Sequence, residues 1–156
     1  MDERKTSRDS FTQMTELVLP QHSNVHGSAF GGTVLAWMDI CGGIAAQRHC
    51  LRVAVTAAID ELNFLAPIKV GDVVVLTARL NAAFRTSMEV EVEVQVEEPA
   101  TGHRKRCVDA FMTFVAIGDD GNKTAVPPLV SESSDDERRA SEAAARRAAR
   151  LERRSR

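Results

Sequence analysis

The sequence predicts an α+β domain in which one long central helix is wrapped by a curved antiparallel β-sheet. Three observations predict it. From Met88 to Val96, Met and Val at even positions alternate with Glu and Gln at odd ones, the period of a strand with one apolar and one polar face. From about Gly31 to His49 the chain is apolar over most of a helical circumference, the pattern of a buried helix. Three further runs rich in Val, Thr, Phe and Met are separated by short turn-forming segments, the spacing of an antiparallel sheet.

The elements follow in order. A first strand is expected over about Phe11 to Leu19, then a loop, then the helix. Asp39 is the only acid in that helix. Gly42-Gly43 inside it costs about 1 kcal/mol per glycine relative to Ala, so another element is expected to approach the backbone closely there. Val53 to Phe64 reads as a strand closing at Pro67, and Val70-Gly71-Asp72 as a turn. Asp72 to Leu80 and Met88 to Val96 form an antiparallel hairpin across the short link Asn81 to Thr86. Pro99-Ala100-Thr101-Gly102 turns into the last strand, Arg106 to Ile117. One sheet around one helix keeps two free edges and an incompletely covered face, which pairing with a second copy would resolve.

Three regions are expected: a flexible N-terminus over 1–10, the domain over 11–125, and a charged Ala/Arg-rich tail over 126–156. Val126-Pro127-Pro128 stops the last strand. Ser134 to Glu137 reads as a capping box opening a helix, and Glu142 and Arg146 sit at i,i+4. Leu151 is the only large apolar residue between Asp135 and Arg156. With no core-forming stripe, the tail reads as a solvated helix or as disorder.

Composition narrows the function. The 156 residues carry a net charge of -2, which argues against a general nucleic-acid binder. No apolar run approaches the roughly 20 residues that cross a bilayer, and Met1 to Ser10 is too polar for a signal peptide. Cys41, Cys50 and Cys107 are too few for a disulfide framework and form no CxxC pair, so a reducing, cytoplasmic setting without structural zinc is expected. His22, His26, His49 and His103 form no metal-binding pattern. Charge is unevenly spread. Ser131 to Arg156 holds eight Arg and six acids, net +2, which leaves the body at -4.

Two places could carry chemistry. Asp39, in the middle of an apolar helix, is either held structurally, by a salt bridge or a hydrogen bond to a neighbouring strand, or is a working acid. The segment His26-Gly27-Ser28-Ala29-Phe30-Gly31-Gly32 opens the helix, where unsatisfied amides and the positive end of the helix dipole suit an oxyanion or a polarised carbonyl. His26 reads as a loop-positioning residue. Gly31 and Asp39 lie about 12 Å apart along a helix axis, so one carbonyl cannot touch both. If both act, they come from different subunits. Arg85-Thr86-Ser87 at the hairpin bend and His103-Arg104-Lys105-Arg106 before the last strand are cations and hydroxyls placed for a phosphate-bearing ligand, or simply solvated turn charges. Cys41 reads as packing.

Taken together, Leu19-Pro20, Asn24-Val25-His26-Gly27, Phe30-Gly31-Gly32, Met38-Asp39, Ala45-Ala46, Arg48-His49-Cys50, Asp60, Asn63-Phe64, Pro67, Gly71-Asp72, Thr86-Ser87-Met88-Glu89-Val90, Ala110-Phe111 and Phe114-Val115 resemble the hotdog-fold acyl-CoA thioesterases. The group in question contains the bacterial YciA-type enzymes and the cytosolic acyl-CoA hydrolase of animal brain. The resemblance runs over about Met14 to Ile117.

That resemblance implies an acyl-CoA thioester hydrolase yielding a free carboxylic acid and coenzyme A, with no cofactor beyond the coenzyme A of the substrate. It implies self-association as a dimer and a trimer of such dimers, with no nucleic-acid partner and no stable membrane insertion. The family's catalytic acid falls on Asp39, as general base or as nucleophile. Its second catalytic position, Asn or Asp elsewhere, falls on Ser28. Gly31 and Gly32 supply carbonyl-polarising amides. Asn24, His26, Phe30 and Asn63 are assigned to the substrate site, and Arg85, Thr86, Ser87 and Arg104 to the coenzyme A nucleotide. The acyl chain is expected beside the helix near Trp37 or Met38. Two rivals are a hotdog hydratase or dehydratase and a non-catalytic acyl-CoA sensor. The first needs a His beside the acid. The second needs a DNA-binding module for which neither terminus has the material.

Overall fold

A computed structural model describes residues 5–156. Residues 1–4 of the N-terminal segment expected to be flexible lie outside the described residues. The remainder of that segment forms a short strand β1 (Lys5–Thr6) and a one-turn helix α1 (Ser7–Ser10). Strand β2 (Thr12–Leu17), helix α2 (Gly31–Cys50) and strands β3 (Val53–Phe64), β4 (Val73–Ala83), β5 (Ser87–Glu97) and β6 (Arg104–Ile117) follow. The chain closes with β7 (Leu129–Val130) and helix α3 (Ser134–Arg154).

The five long strands make one antiparallel sheet in the order β2-β4-β5-β6-β3. The predicted order of one strand, one helix and four strands holds. A second sheet was not foreseen: β1 pairs in parallel with β7, tying the start of the described chain to the segment that leads into α3.

α2 lies on the inner face of the sheet. Met38, Cys41, Ala45 and Ala46 pack there against Leu76, Val92, Met112 and Phe114, all essentially unexposed. The close approach expected at the glycine pair occurs at Gly42, where an added Cβ would stand 3.1 Å from the Phe114 ring and 3.2 Å from Val92. At Gly43 the nearest atom would be 3.7 Å away, ordinary contact. Burial pushes the Cys41 thiol up to about 11, consistent with a packing role.

The expectation that α2 is buried all round needs correction. Gly32, Ala36, Asp39 and Ile40 form an exposed stripe along one side. It faces the same flank as β3, the free edge of the sheet, where Val53, Val55 and Ile59 are exposed. Among the described residues nothing covers this apolar strip.

The tail takes the helical of its two expected forms. It keeps a solvated outer side, but α3 is docked on the outer face of the sheet through its arginines. Ser133, one residue before the predicted cap, accepts the Asp136 N–H at 3.1 Å. Arg138, not Arg146, pairs with Glu142 on the helix surface. Arg146 reaches inward to Glu89, at 2.7 Å, and lies 3.5 Å over the Phe111 ring. Arg139 pairs with Glu91, Arg79 of β4 with Asp136, and Arg150 with Asp60 at 2.6 Å. Only Ala143 of the helix is buried. Glu89 and Glu91 of the acidic row of β5 thus find their partners in the chain's own tail.

Candidate active site

The exposed stripe of α2 and the inner face of β3 enclose an open depression of about 360 Å³, lined by Gly32, Leu35, Ala36, Asp39, Thr56 and Ile59. Two features of β3 shape it. The strand is bulged between Thr56 and Ala58, and the extra residue turns Thr56 and Ile59, three apart, toward the same side. Asp60, next along, then faces outward to Arg150.

Asp39 is exposed rather than buried. Its Oδ1 accepts a hydrogen bond from the Thr56 hydroxyl. Among the described residues no other donor reaches the carboxylate and no cation pairs with it. Of the two structural partners left open by the sequence, the ion pair is absent among the described residues and the hydrogen bond to a neighbouring strand is present.

The Gly-rich segment sits where the sequence put it, at the start of α2. Phe30 caps the helix and accepts the Thr33 and Val34 amides, leaving the Gly31 and Gly32 N–H groups without intrahelical acceptors. A Cβ on Gly32 would stand 2.7 Å from the exposed Phe30 ring, which would have to swing aside. Gly32 and Asp39 line one depression but from its two ends, about 10 Å apart along the axis.

Before the helix, the Asn24 side chain organises the loop. Its Oδ1 accepts the His26 N–H at 2.8 Å and the Ser28 N–H at 3.3 Å. Gly27, at φ +77°, makes the tight turn. The His26 ring is exposed at the tip. Ser28 is half-buried, bridged to Lys69, and lines a second depression of about 280 Å³ with Val34, Phe64 and Ile68. Ser28 therefore does not share a cavity with the Asp39 of its own chain.

Other predicted residues are dispersed. Asn63 donates to Glu61 O at 2.8 Å and Asp109 at 3.3 Å on the bulged end of β3. Arg85, Thr86 and Ser87 form the β4–β5 bend, with the Phe84 N–H donating to Ser87 O at 2.7 Å. Arg104 lies at the opposite end of β5, a strand of about 33 Å, and pairs with Glu97 at 3.8 Å. Arg106 is held by Glu93 and Asp109. One nucleotide cannot use both ends within a chain. Trp37 and Met38 do not line a channel: Met38 is fully buried, and Trp37 packs edge-on against His22, centroids 5.1 Å apart.

Thr56, Leu35, Ala36 and Ile59 are site residues that sequence reasoning missed. The signal for Thr56 was slight, a hydroxyl in an apolar strand just before its alternation breaks at Ala57-Ala58.

Comparison with known proteins gives the family and the fold. The family model described as the thioesterase superfamily matches residues 26–103. An uncharacterized acyl-CoA thioester hydrolase of Bacillus subtilis, YkhA, is 37% identical over 131 residues, covering 84% of this chain and 76% of the relative. The human cytosolic acyl coenzyme A thioester hydrolase is 35% identical over 133 residues, and the chain spans only 35% of its length. Among solved structures, the acyl-CoA hydrolase of Staphylococcus aureus in complex with butyryl coenzyme A and coenzyme A superposes with a TM-score of 0.91 at 32% identity, over 97% of this chain and 93% of that one. The chain belongs to the thioesterase superfamily.

Proposed function

We propose that this chain, an acyl-CoA thioester hydrolase by its family, cleaves its substrate in the depression beside α2, with Asp39 as the reacting carboxylate. The observation that carries this is the setting of Asp39. It is the one acid on an apolar helix, exposed at a depression and oriented by a single hydroxyl. The Thr56 hydroxyl fixes one oxygen and leaves the other to take a proton from water or to attack the carbonyl carbon.

The Gly31 and Gly32 amides, with the positive end of α2 behind them, polarise the thioester carbonyl. Their separation from Asp39 in one chain requires that amides and carboxylate come from two copies. Antiparallel pairing of two β3 edges, with the exposed stripes of α2 brought together, supplies that geometry and covers Ile40, Val53 and Val55. A solved acyl-CoA thioesterase of this fold is hexameric, which supports a trimer of such dimers.

Variants of the S. aureus hydrolase replace an Asp, an Asn and a Thr by Ala. The Asn stands fifteen positions before the Asp and the Thr seventeen after it. The same spacings around Asp39 pick out Asn24 and Thr56. This supports Asn24, rather than Ser28, as the residue whose side-chain amide steers water or carbonyl. Ser28, His26 and Phe30 then form the entrance, and Asn63 with Asp109 braces the bulged end of β3. Arg85, Thr86 and Ser87 are the residues offered to the coenzyme A nucleotide, and Arg104, bound to Glu97, is the weaker choice. No cofactor takes part.

The hydratase reading loses ground on one observation: among the described residues of one chain no histidine lines the Asp39 depression. Free thiol released from acyl-CoAs of increasing chain length tests the proposal. Asp39→Asn is expected to lower kcat by about 10²–10⁴-fold, with Thr56→Val less severe. Incorporation of ¹⁸O from water into the Asp39 carboxylate after turnover marks an anhydride opened at the Asp39 carbonyl. Undiminished release by Asp39→Asn would sink both roles of that carboxylate, base and nucleophile.

A further inference from the structure

The arginines of α3 that turn toward the sheet are matched one by one with carboxylates. Arg139 meets Glu91, Arg146 meets Glu89, and Arg150 and Arg153 share Asp60. Arg147 breaks the pattern. Its guanidinium carbon stands 5.0 Å from the centroid of the Phe84 ring, and among the described residues no carboxylate pairs with it. Phe84 is the first residue of the β4–β5 bend, and the next, Arg85, is exposed and also has no carboxylate partner among the described residues.

One guanidinium without a carboxylate partner thus lies over the Phe84 ring, and the bend that follows carries the exposed Arg85 with the half-buried Thr86 and Ser87. An aromatic face that holds the plane of an arginine leaves its N–H fork free for bidentate binding of phosphate. Position allows it as well. Thr56 is in register with Phe114, Phe114 with Met88, and Met88 with Ala83. Three strand steps place the bend about 14 Å from Thr56, within the reach of the pantetheine–diphosphate arm of coenzyme A.

We infer that Arg147 of the tail, stacked on Phe84 and acting with Arg85, forms a clamp for a phosphate at the nucleotide end of coenzyme A, making the tail part of the substrate site. The inference rests on the proposed acyl-CoA hydrolysis for the identity of the phosphate. Its test compares an acyl-CoA with the same acyl group on pantetheine, which lacks the nucleotide. Arg147→Ala is expected to raise KM for the acyl-CoA roughly five- to tenfold, the loss of one charge-assisted contact, with kcat and the pantetheine thioester unaffected. Arg147→Lys, which keeps charge but not the stacked fork, falls between. Arg154→Ala, an exposed tail charge elsewhere, stays at wild type. A KM within twofold of wild type, or one raised equally for both substrates, overturns the clamp. Calorimetry with adenosine 3′,5′-bisphosphate separates this from the hydrolase reading, because it needs no turnover. Binding weakened by Arg147→Ala supports the clamp even in a protein that hydrolyses nothing. Equal binding by the two proteins, or none by wild type, overturns it.

Discussion

The sheet carries a helix on each face, and α2 and α3 are held there by opposite means. α2 presents Met, Cys and Ala to the inner face and leaves only a stripe uncovered. α3 presents arginines to the outer face and buries one alanine. An apolar contact gains from area alone. An ionic contact gains only where partners meet in register, since a charge removed from water must be matched. The inner face therefore supplies stability, and the outer face supplies position: four arginines fix α3 over Glu89, Glu91 and Asp60 and carry Arg147 to the β4–β5 bend.

The contrast can be broken most sharply from the inside. Phe114→Ala removes a fully buried ring that touches Gly42 and is expected to cost about 3–5 kcal/mol, measured by denaturant unfolding. Arg146→Ala tests the outer face. It strands Glu89, which is 2% exposed, and the expected loss is about 3 kcal/mol. Adding Glu89→Gln to Arg146→Ala should restore part of that loss, because the stranded charge is gone. No analogous second substitution rescues Phe114→Ala.

A smaller effect lies where the two faces meet. The Nε2–H of His49, at the end of α2, donates to the Pro127 carbonyl at 2.7 Å in the segment that leads to α3. Burial lowers its pKa, against the opposing effect of that bond, while Lys5 lowers and Asp9 raises it. The folded state therefore keeps the ring neutral, whereas the unfolded chain takes up a proton below about 6.5. This contribution is complete above that value and is lost as pH falls toward the lowered folded value. Melting temperatures at pH 7.5 and 5.5 should fall more for wild type than for His49→Gln.

What could be read in advance follows the same division. Periodicity exposed every long strand and α2, because apolar burial repeats with the backbone period. It could not expose the docking of α3, since a helix of Arg and Ala looks solvated until its acids are located on another element. Nor could it expose β1 and β7, two residues each and paired across most of the chain. At the site, Asp39 was legible because an acid interrupts an apolar helix. Thr56 was not, because threonine is ordinary in a strand and only a bulge brings it to Asp39. The loop residues were legible as a group, yet individual roles within Asn24 to Ser28 depend on hydrogen bonds that spacing does not encode.

The carboxylate row on β5 also bears on how the chain reaches its fold. In chain order the five-stranded sheet is complete before α3 emerges, as on a ribosome. During that interval the inner face is already filled by α2, and the outer face shows Glu89, Glu91 and Glu93 rather than a second layer of valines. Until the last helix arrives, these carboxylates keep the outer face hydrated.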